Sequence, residues 1–438
     1  MTSRIRLFLV LVLVLLGWPP WLAADDRPDI LLITVDTLRA DRLSGYGYER
    51  PTSPRLDALF AEGALFTDAR TVEPLTNPAL SSMITASFPH EHGATRNGLR
   101  MRPDLESLPK VLDRAGYRTA AFVANWTLKD SISGLAEHFD HYGEILTRKR
   151  WFGFFKGEAT AEDVNAAAIE WLGQESGRRR PVFSWVHYVE PHAPYLLHKG
   201  YLDLAGEASK SDRYDTEVAY VDDHIGQLLD ALPPSPRSRL VIFTSDHGES
   251  LGEHGYWGHG RNLHEPGLHI PLAFHWPGKL GAGRVTEPAL LIDVAPTILG
   301  LLGLSSPDSF RGFDWSARLQ GRSDEVPNRA CLFQAHKGAV LGSQEADNAR
   351  RAGLLAVGLL RDGKKEILRL GSGQLRLFEL AQDPSERRNL SSPNGQPSAE
   401  LLQWRELVED GLERTEGMPP PDVDPESVEK LKSLGYTN

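Results

Sequence analysis

At 438 residues the chain is long enough to bury one large core and a smaller second one without disulfides. Hydrophobic residues at 41% and charged residues at 24% are ordinary globular values, which argues against extended disorder and against a multi-pass membrane protein. A net charge of −11 argues against nucleic acid as a partner; an acidic chain that handles anions must gather positive charge locally, and a bound metal is an economical way to do so.

Arg4 and Arg6 precede an apolar run, Leu7 to Leu16, followed by Gly17 and Trp18-Pro19-Pro20-Trp21. The run is shorter than the roughly 20 apolar residues a spanning helix needs. It fits a signal-peptide core over residues 1–24, with Ala23-Ala24 as the cleavage region before Asp25. An uncleaved N-terminal membrane anchor is the alternative, because Leu22 is not the small residue preferred near the cut. The single cysteine, Cys331, excludes an internal disulfide and a thiolate metal cluster within one chain. The expected location is outside the cytoplasm, periplasmic or extracellular.

Four short runs, apolar on both faces, read as buried parallel strands: Ile30 to Val35, Thr119 to Ala124, Val182 to Val189 and Leu240 to Thr244. Helical patterns lie between them, at Pro54 to Glu62, Leu105 to Ala115, Ala161 to Leu172 and Thr216 to Leu232. Thr160 with Asp163 three residues on gives the third of these its start signal. Strands alternating with helices imply an α/β fold with a mostly parallel central sheet flanked by helices, assigned to residues 25–327. Beyond that the runs Ala330 to Gln334, Leu354 to Leu360, Glu366 to Leu370 and Leu375 to Leu380 imply a small C-terminal antiparallel sheet over 328–395, with Asp362-Gly363 as a hairpin turn. A helical tail, 396–438, comes last: a helix at Ala399 to Arg414, the Pro-rich Met418 to Pro420, and a short helix ending near Gly435.

Ligands of open α/β sheets sit beyond the carboxyl ends of the strands. Asp36 ends the first strand; His187, Glu190 and His192 sit at or past the end of the third; Asp246 and His247 come after the fourth. Taken alone, Asp36 reads as a loop-capping carboxylate and His247 as a structural histidine. Three strand ends delivering carboxylates and imidazoles to one edge point instead to a metal site, with an oxygen and nitrogen set compatible with zinc, manganese or calcium. Thr76 precedes Asn77-Pro78 and a helix at Ala79 to Ala86, so it reads locally as a helix cap. A helix start also suits an anionic phosphate or sulfate, and a hydroxyl there beside a metal can become a nucleophile.

Val35-Asp36-Thr37-Leu38-Arg39-Ala40-Asp41-Arg42-Leu43 followed by Gly45-Tyr46-Gly47 resembles the opening of sulfatase-like hydrolases of the alkaline phosphatase superfamily. Ser53-Pro54-Arg55-Leu56-Asp57, Thr76-Asn77-Pro78, Phe88-Pro89-His90 and Glu190-Pro191-His192 continue the likeness in order. Ser245-Asp246-His247-Gly248-Glu249, Glu253-His254-Gly255, Gly258-His259-Gly260, Asp383-Pro384 and the ending Leu431 to Tyr436 complete it. The resemblance implies an alkaline phosphatase-like fold, with Asp36, Asp246 and His247 as metal ligands and Thr76 as both ligand and nucleophile. It implies that His192 contacts the ester or protonates the leaving group. Asn97 falls at a substrate-contacting position, and His259 near the position of a substrate-binding lysine. His254 and His259 are candidates for a second ion, for which no full ligand set is evident.

Sulfatases resemble one another in a Cys-or-Ser, x, Pro, x, Arg segment whose first residue is oxidised to formylglycine; here it is Thr76-Asn77-Pro78-Ala79-Leu80. Threonine cannot yield that aldehyde because its β-carbon already carries a methyl group, and Leu80 removes the arginine. Thr37 replaces the second acidic metal residue. These departures favour the branch that uses an unmodified hydroxyl, with phosphodiesterases, phosphonate monoester hydrolases and phosphoethanolamine transferases. The expected reaction is attack by Thr76 on a phospho-, phosphono- or sulfate ester through a covalent intermediate. The alternatives are a sulfuric ester hydrolase without formylglycine, a transferase, and a catalytically dead binding relative. The expected partner is a small anionic ester, free or linked to a lipid or glycan. Arg148-Lys149-Arg150-Trp151-Phe152-Gly153-Phe154-Phe155-Lys156 reads either as a loop packed on the core or as a lid or patch for anionic lipid or glycan.

Overall fold

The computed structural model describes residues 27–414 other than 147, 151–154, 178, 204–206, 324, 327 and 341–352. The proposed signal peptide, the aromatic centre of the Arg148–Lys156 segment and the chain beyond Arg414 therefore lie outside the described residues.

Nine strands build the central sheet: β1 (Asp29–Val35), β2 (Ala64–Arg70), β3 (Arg118–Val123), β4 (His141–Glu144), β7 (Val182–Tyr188), β8 (Arg239–Ser245), β11 (His269–His275), β12 (Gly283–Val285) and β13 (Ala289–Leu290). Two-stranded ribbons are made by β5 (Arg148–Arg150) with β6 (Phe155–Glu158), and by β9 (Ser250–Leu251) with β10 (Trp257–Gly258). The sheet order is β12-β2-β11-β8-β1-β7-β3-β4, with β13 also on β2. Only β11 runs antiparallel to its neighbours, so the mostly parallel sheet expected from the apolar runs is present.

Alternation along β1 explains why its sequence is apolar throughout. Ile30 and Leu32 enter the core on one face, whereas Leu31, Ile33 and Val35 enter the core on the other. The flanking helices are α1 (Pro54–Glu62), α2 (Thr76–Thr85), α3 (Leu108–Arg114), α4 (Ala161–Glu175), α5 (Lys210–Ala231) and α6 (Val294–Leu301). Two begin elsewhere than the sequence pattern suggests. In α3 the Ser107 side chain accepts from the Lys110 backbone N–H, so the helix starts at Leu108 rather than Leu105. Ser209 caps α5 in the same way, accepting from the Asp212 N–H at 3.1 Å, which moves the start from Thr216 to Lys210. For α4 the expected start holds: the Thr160 N–H donates to Asp163 at 3.3 Å.

The C-terminal sheet is antiparallel, in the order β14 (Cys331–His336), β15 (Leu354–Arg361), β16 (Lys364–Arg369) and β17 (Leu375–Glu379). Asp362 and Gly363 both have positive φ (51° and 75°), which is the type I′ geometry a two-residue hairpin favours. The sheet and helix α7 (Ala399–Arg414) share a core with the main body, in which Leu401, Trp404 and Val408 meet Val72, Phe88 and Leu290.

A buried charge network fastens this sheet to the body. Lys365 of β16 is fully buried, with Nζ 2.7 Å from Glu265 and 2.8 Å from Glu386. Arg70, at the end of β2, reaches Glu265 at 2.9 Å. Burial alone would raise the Glu265 carboxyl, but Arg70 and Lys365 hold it well below the usual carboxylate range. A depressed folded-state pKa gives stabilisation that is fully present above the unfolded value of about 4.3 and is lost as pH falls below it. Lys365→Met removes one partner of a buried network and should cost about 3–5 kcal/mol of unfolding free energy at pH 7. In urea titrations the gap to wild type should narrow below pH ~4.3; a gap that is small, or the same at every pH, contradicts the network.

Candidate active site

Register brings the first two ligand candidates together. Val35 is paired with both Tyr188 of β7 and Ser245 of β8, so the next residues, Asp36 and Asp246, stand side by side at the carboxyl edge. Both are fully buried. Asp246 Oδ1 accepts from the backbone N–H groups of His247 (2.7 Å) and Thr37 (3.1 Å), the latter held at a left-handed φ of 57°. Asp36 Oδ2 accepts from the Asn125 amide. The remaining oxygens, Asp36 Oδ1 and Asp246 Oδ2, are buried without a hydrogen-bond partner.

His247 faces those two oxygens. Its Nδ1–H donates to the Gly248 carbonyl at 2.8 Å, which leaves the lone pair on Nε2. Nε2 lies 3.5 Å from Asp246 Oδ2, 3.8 Å from Asp36 Oδ1 and 3.4 Å from Thr76 Oγ1. His187, on β7, offers a further ligand atom within 4.8 Å of those of Asp36 and Asp246. Burial and the neighbouring Asp246 charge push the Asp36 carboxyl well up. Burial pushes Asp246 up to about 8 and holds His247 well below the usual histidine value. Two orphaned carboxylate oxygens in a dry pocket, opposite an imidazole lone pair, fit a divalent cation, whose charge would reverse those shifts.

Thr76 reaches the site through β2, a strand the sequence pattern does not reveal. Since β2 runs parallel to β1, its end delivers residues 71–76 to the same edge. Thr76 is not the cap expected from the sequence: Leu75, in an extended conformation, occupies that place and Thr76 is the first helical residue. Its hydroxyl is therefore not engaged in capping and turns to His247. Asn97 Oδ1 accepts from the Asn77 N–H at 3.0 Å, next to Thr76, while its own Nδ2 is buried without a partner. Leu80, where sulfatases carry arginine, is a fully buried residue packed into the apolar core.

The imidazole rings form a chain. His259 lies 4.6 Å from His247 and 5.3 Å from His192, ring centre to ring centre. His192 Nδ1–H donates to the Ala193 carbonyl at 2.7 Å, and His259 Nδ1 faces Glu249 Oε1 at 3.1 Å. Thus Asp36, Asp246, His247, Thr76, Asn97, His192 and His259 all gather at one edge. His254 does not join them. Its ring stacks on His264 at 3.8 Å, and His264 is already held between Glu386 (2.9 Å) and Arg376 (3.0 Å). That trio adjoins the docking network, and its donor atoms lie within 4.8 Å of one another, so it stands as a separate candidate group for an ion, away from His259.

Two residues at the site, Glu249 and Asn125, have no role that the sequence alone assigns, and His187, placed by the sequence at the strand-end edge, joins the candidate ligands. His187 and Glu249 lie within segments rich in acidic and imidazole side chains, but only the fold shows which way they face. Asn125 stands just past the end of β3, so the same strand-end rule could have found it. Its Oδ1 accepts from the Thr127 N–H (2.8 Å) and hydroxyl (2.9 Å), which fixes the amide so that Nδ2 points at Asp36. The first strand of the C-terminal sheet also touches the site segments. Buried Glu73, three residues before Thr76, receives the His336 N–H at 3.0 Å, and the Val340 N–H donates to the Asn97 carbonyl at 2.8 Å.

A family model described as Sulfatase matches residues 28–304. An uncharacterized sulfatase, YidJ, of Escherichia coli K12 is 25% identical over 65% of this chain and 70% of its own length. Human N-acetylgalactosamine-6-sulfatase is 26% identical over 88% of this chain and 86% of its own. The crystal structure of a phosphonate monoester hydrolase from Agrobacterium radiobacter superposes with a TM-score of 0.67 at 19% identity, covering 89% of this chain and 96% of that one.

Asn125→Ala should leave Asp36 Oδ2 without its donor and weaken divalent-cation affinity by about 10–100-fold. Calorimetry with Zn²⁺ and Mn²⁺ reads this directly. Unchanged affinity would remove Asn125 from the site.

Proposed function

Because the chain belongs to the sulfatase family and is an ester hydrolase of that family, we propose that it cleaves phospho-, phosphono- or sulfate esters through a covalent ester of Thr76. The observation that carries this reading is the 3.4 Å approach of Thr76 Oγ1 to His247 Nε2, at the point where the unpartnered oxygens of Asp36 and Asp246 converge. Asp36, Asp246 and His247 would hold a divalent cation (zinc, manganese or calcium), with His187 as a further ligand. When bound, the cation supplies positive charge that favours the deprotonated Thr76 hydroxyl and offsets the charge on the ester oxygens.

The chain's own residues do the rest. Thr76, at the first turn of a buried helix, supplies the attacking oxygen, and the helix N-terminus favours the anion. The Thr76 Oγ1–phosphorus or –sulfur bond forms as the bond to the leaving oxygen breaks. That oxygen takes a proton from His192 or His259, whose Nδ1 atoms are oriented by the Ala193 carbonyl and Glu249, so the role falls to Nε2. Asn97 Nδ2 donates to a non-bridging ester oxygen. Water then displaces Thr76 and restores its hydroxyl.

Phosphorus esters are the favoured substrates, because threonine cannot become formylglycine and Leu80 lies in the core. The named activity of the Agrobacterium neighbour agrees with that choice, while that of the human relative keeps sulfate esters open. Residues 1–24 are proposed to direct export, for which secreted protein beginning at Asp25 is the expected finding of N-terminal sequencing. Thr76→Ala should abolish turnover of chromogenic phosphonate, phosphate and sulfate esters, a loss of about 10³-fold or more, with the melting temperature unchanged. Retained turnover in that variant excludes Thr76 as the nucleophile.

A further inference from the structure

Two wholly buried ionisable side chains close to the site play no part in the proposed reaction: Glu73 and His336. Glu73 stands three residues before Thr76, in the segment that leaves β2. His336 ends β14, the first strand of the C-terminal sheet. They meet at two points. The His336 N–H donates to Glu73 Oε1 at 3.0 Å, and His336 Nδ1 lies 2.8 Å from Oε2. A buried carboxylate–imidazole pair stabilises a joint no better than well-packed apolar residues of the same volume would. What a two-point contact adds is a fixed orientation of one segment against the other.

The chain past His336 is held along its length. The Arg96 guanidinium donates to the carbonyls of Lys337 (3.2 Å), Gly338 (3.0 Å) and Ala339 (2.8 Å). Ala339 packs with Trp126 and Ile132, and Val340 with Leu99. The Val340 N–H donates to the Asn97 carbonyl at 2.8 Å. At Gly98, where φ is +93°, a Cβ would lie 2.6 Å from the Val340 carbonyl oxygen, so the two backbones touch. One strap, residues 336–340, thus grips Glu73 at one end and Asn97 at the other. The Glu73 end has little slack towards Thr76. Only Pro74, whose ring fixes its φ, and Leu75 stand between them. Leu75 is wholly buried, and a Cβ on Gly260 would lie 2.5 Å from its side chain.

We propose that Glu73 and His336 are positioning residues, whose contact fixes the strap against the segment leading to Thr76 and so sets the attacking oxygen relative to the Asn97 amide. This rests on the hydrolase reading above, which gives Thr76 and Asn97 their roles. Neither Glu73 nor His336 touches the ester; each acts through the backbone it holds. Misplacing a reacting atom by about 1 Å costs on the order of 100-fold in rate, so a loosened strap shows in turnover.

Steady-state kinetics on a chromogenic phosphonate ester test the pair, using cation-loaded full-length protein well below its melting temperature. Glu73→Ala should lower kcat about 10–100-fold. KM and Zn²⁺ affinity should stay near wild type, because Asp36, Asp246 and His247 are placed by the main sheet. Glu73→Gln should recover most of the loss, since its amide accepts from the His336 N–H and donates to Nδ1. The double variant Glu73→Ala/His336→Ala should lose no more than the worse single one. Arg96→Ala loosens the strap without opening the buried pair; it should also lower kcat, and it serves where Glu73→Ala does not fold. Three results overturn the positioning role and leave the hydrolase reading standing: wild-type kcat with only a lower melting temperature, a fall in Zn²⁺ affinity that matches the loss in kcat, or no rescue by glutamine. Wild-type protein inert toward every chromogenic ester overturns both.

Discussion

Two carboxylates buried side by side, each with one oxygen tied down and one left bare, set the terms for the whole structure. Like charges a few ångströms apart in a dry interior repel strongly, and neither can be relieved by water. The fold nevertheless holds them there by the register of β1 and β8, by an amide from β3, and by a backbone turn at Thr37 in a conformation threonine rarely adopts. Burial and that proximity push both carboxyls up, so a proton or a cation must balance them. The tautomer of His247, the placement of Thr76 and the unpartnered amide of Asn97 are compatible with the proposed cation and anionic ester.

The small C-terminal sheet is part of that arrangement. Its first strand holds Glu73, just ahead of the helix that begins at Thr76, and the chain beyond it holds Asn97 through Val340. Lys365, Glu265, Arg70 and Glu386 lock the same sheet to the end of β2, the strand that delivers Thr76. The start of the helix at Thr76 is thus held both by the main sheet and by the small one.

Much of this was legible in the residues. The meeting of Asp36, Asp246 and His247 at one edge was readable because parallel strands buried on both faces read as unbroken apolar runs, and the first polar residues after such a run mark a strand end. The Asp362-Gly363 turn was equally plain. β2 was hidden because Thr67, Asp68 and Arg70 interrupt its apolar character, and β11 because Pro271 sits within it, where the register shifts between Ile270 and Leu272. The cap at Thr76 misled because a threonine before Asn-Pro is a good helix start in isolation, and only the course of the chain out of β2 shows that Leu75 takes that place. Glu249 reaches the site only through the His259 ring, so nothing local distinguishes it from an ordinary polar residue, whereas Asn125, just past the end of β3, was open to the same strand-end reading.

The reversed strand β11 has a consequence of its own. Because it lies antiparallel to β8, residues 246–268 leave the sheet and return to it on the same side without crossing to the opposite edge. One continuous stretch therefore carries Asp246, His247, Glu249, Trp257 and His259, with both its ends on adjacent strands. Because Asp246, His247 and His259 stand at its two flanks, only the ribbon between them, Ser250 to Gly258, is free to change in length without moving the residues gathered at the sheet edge.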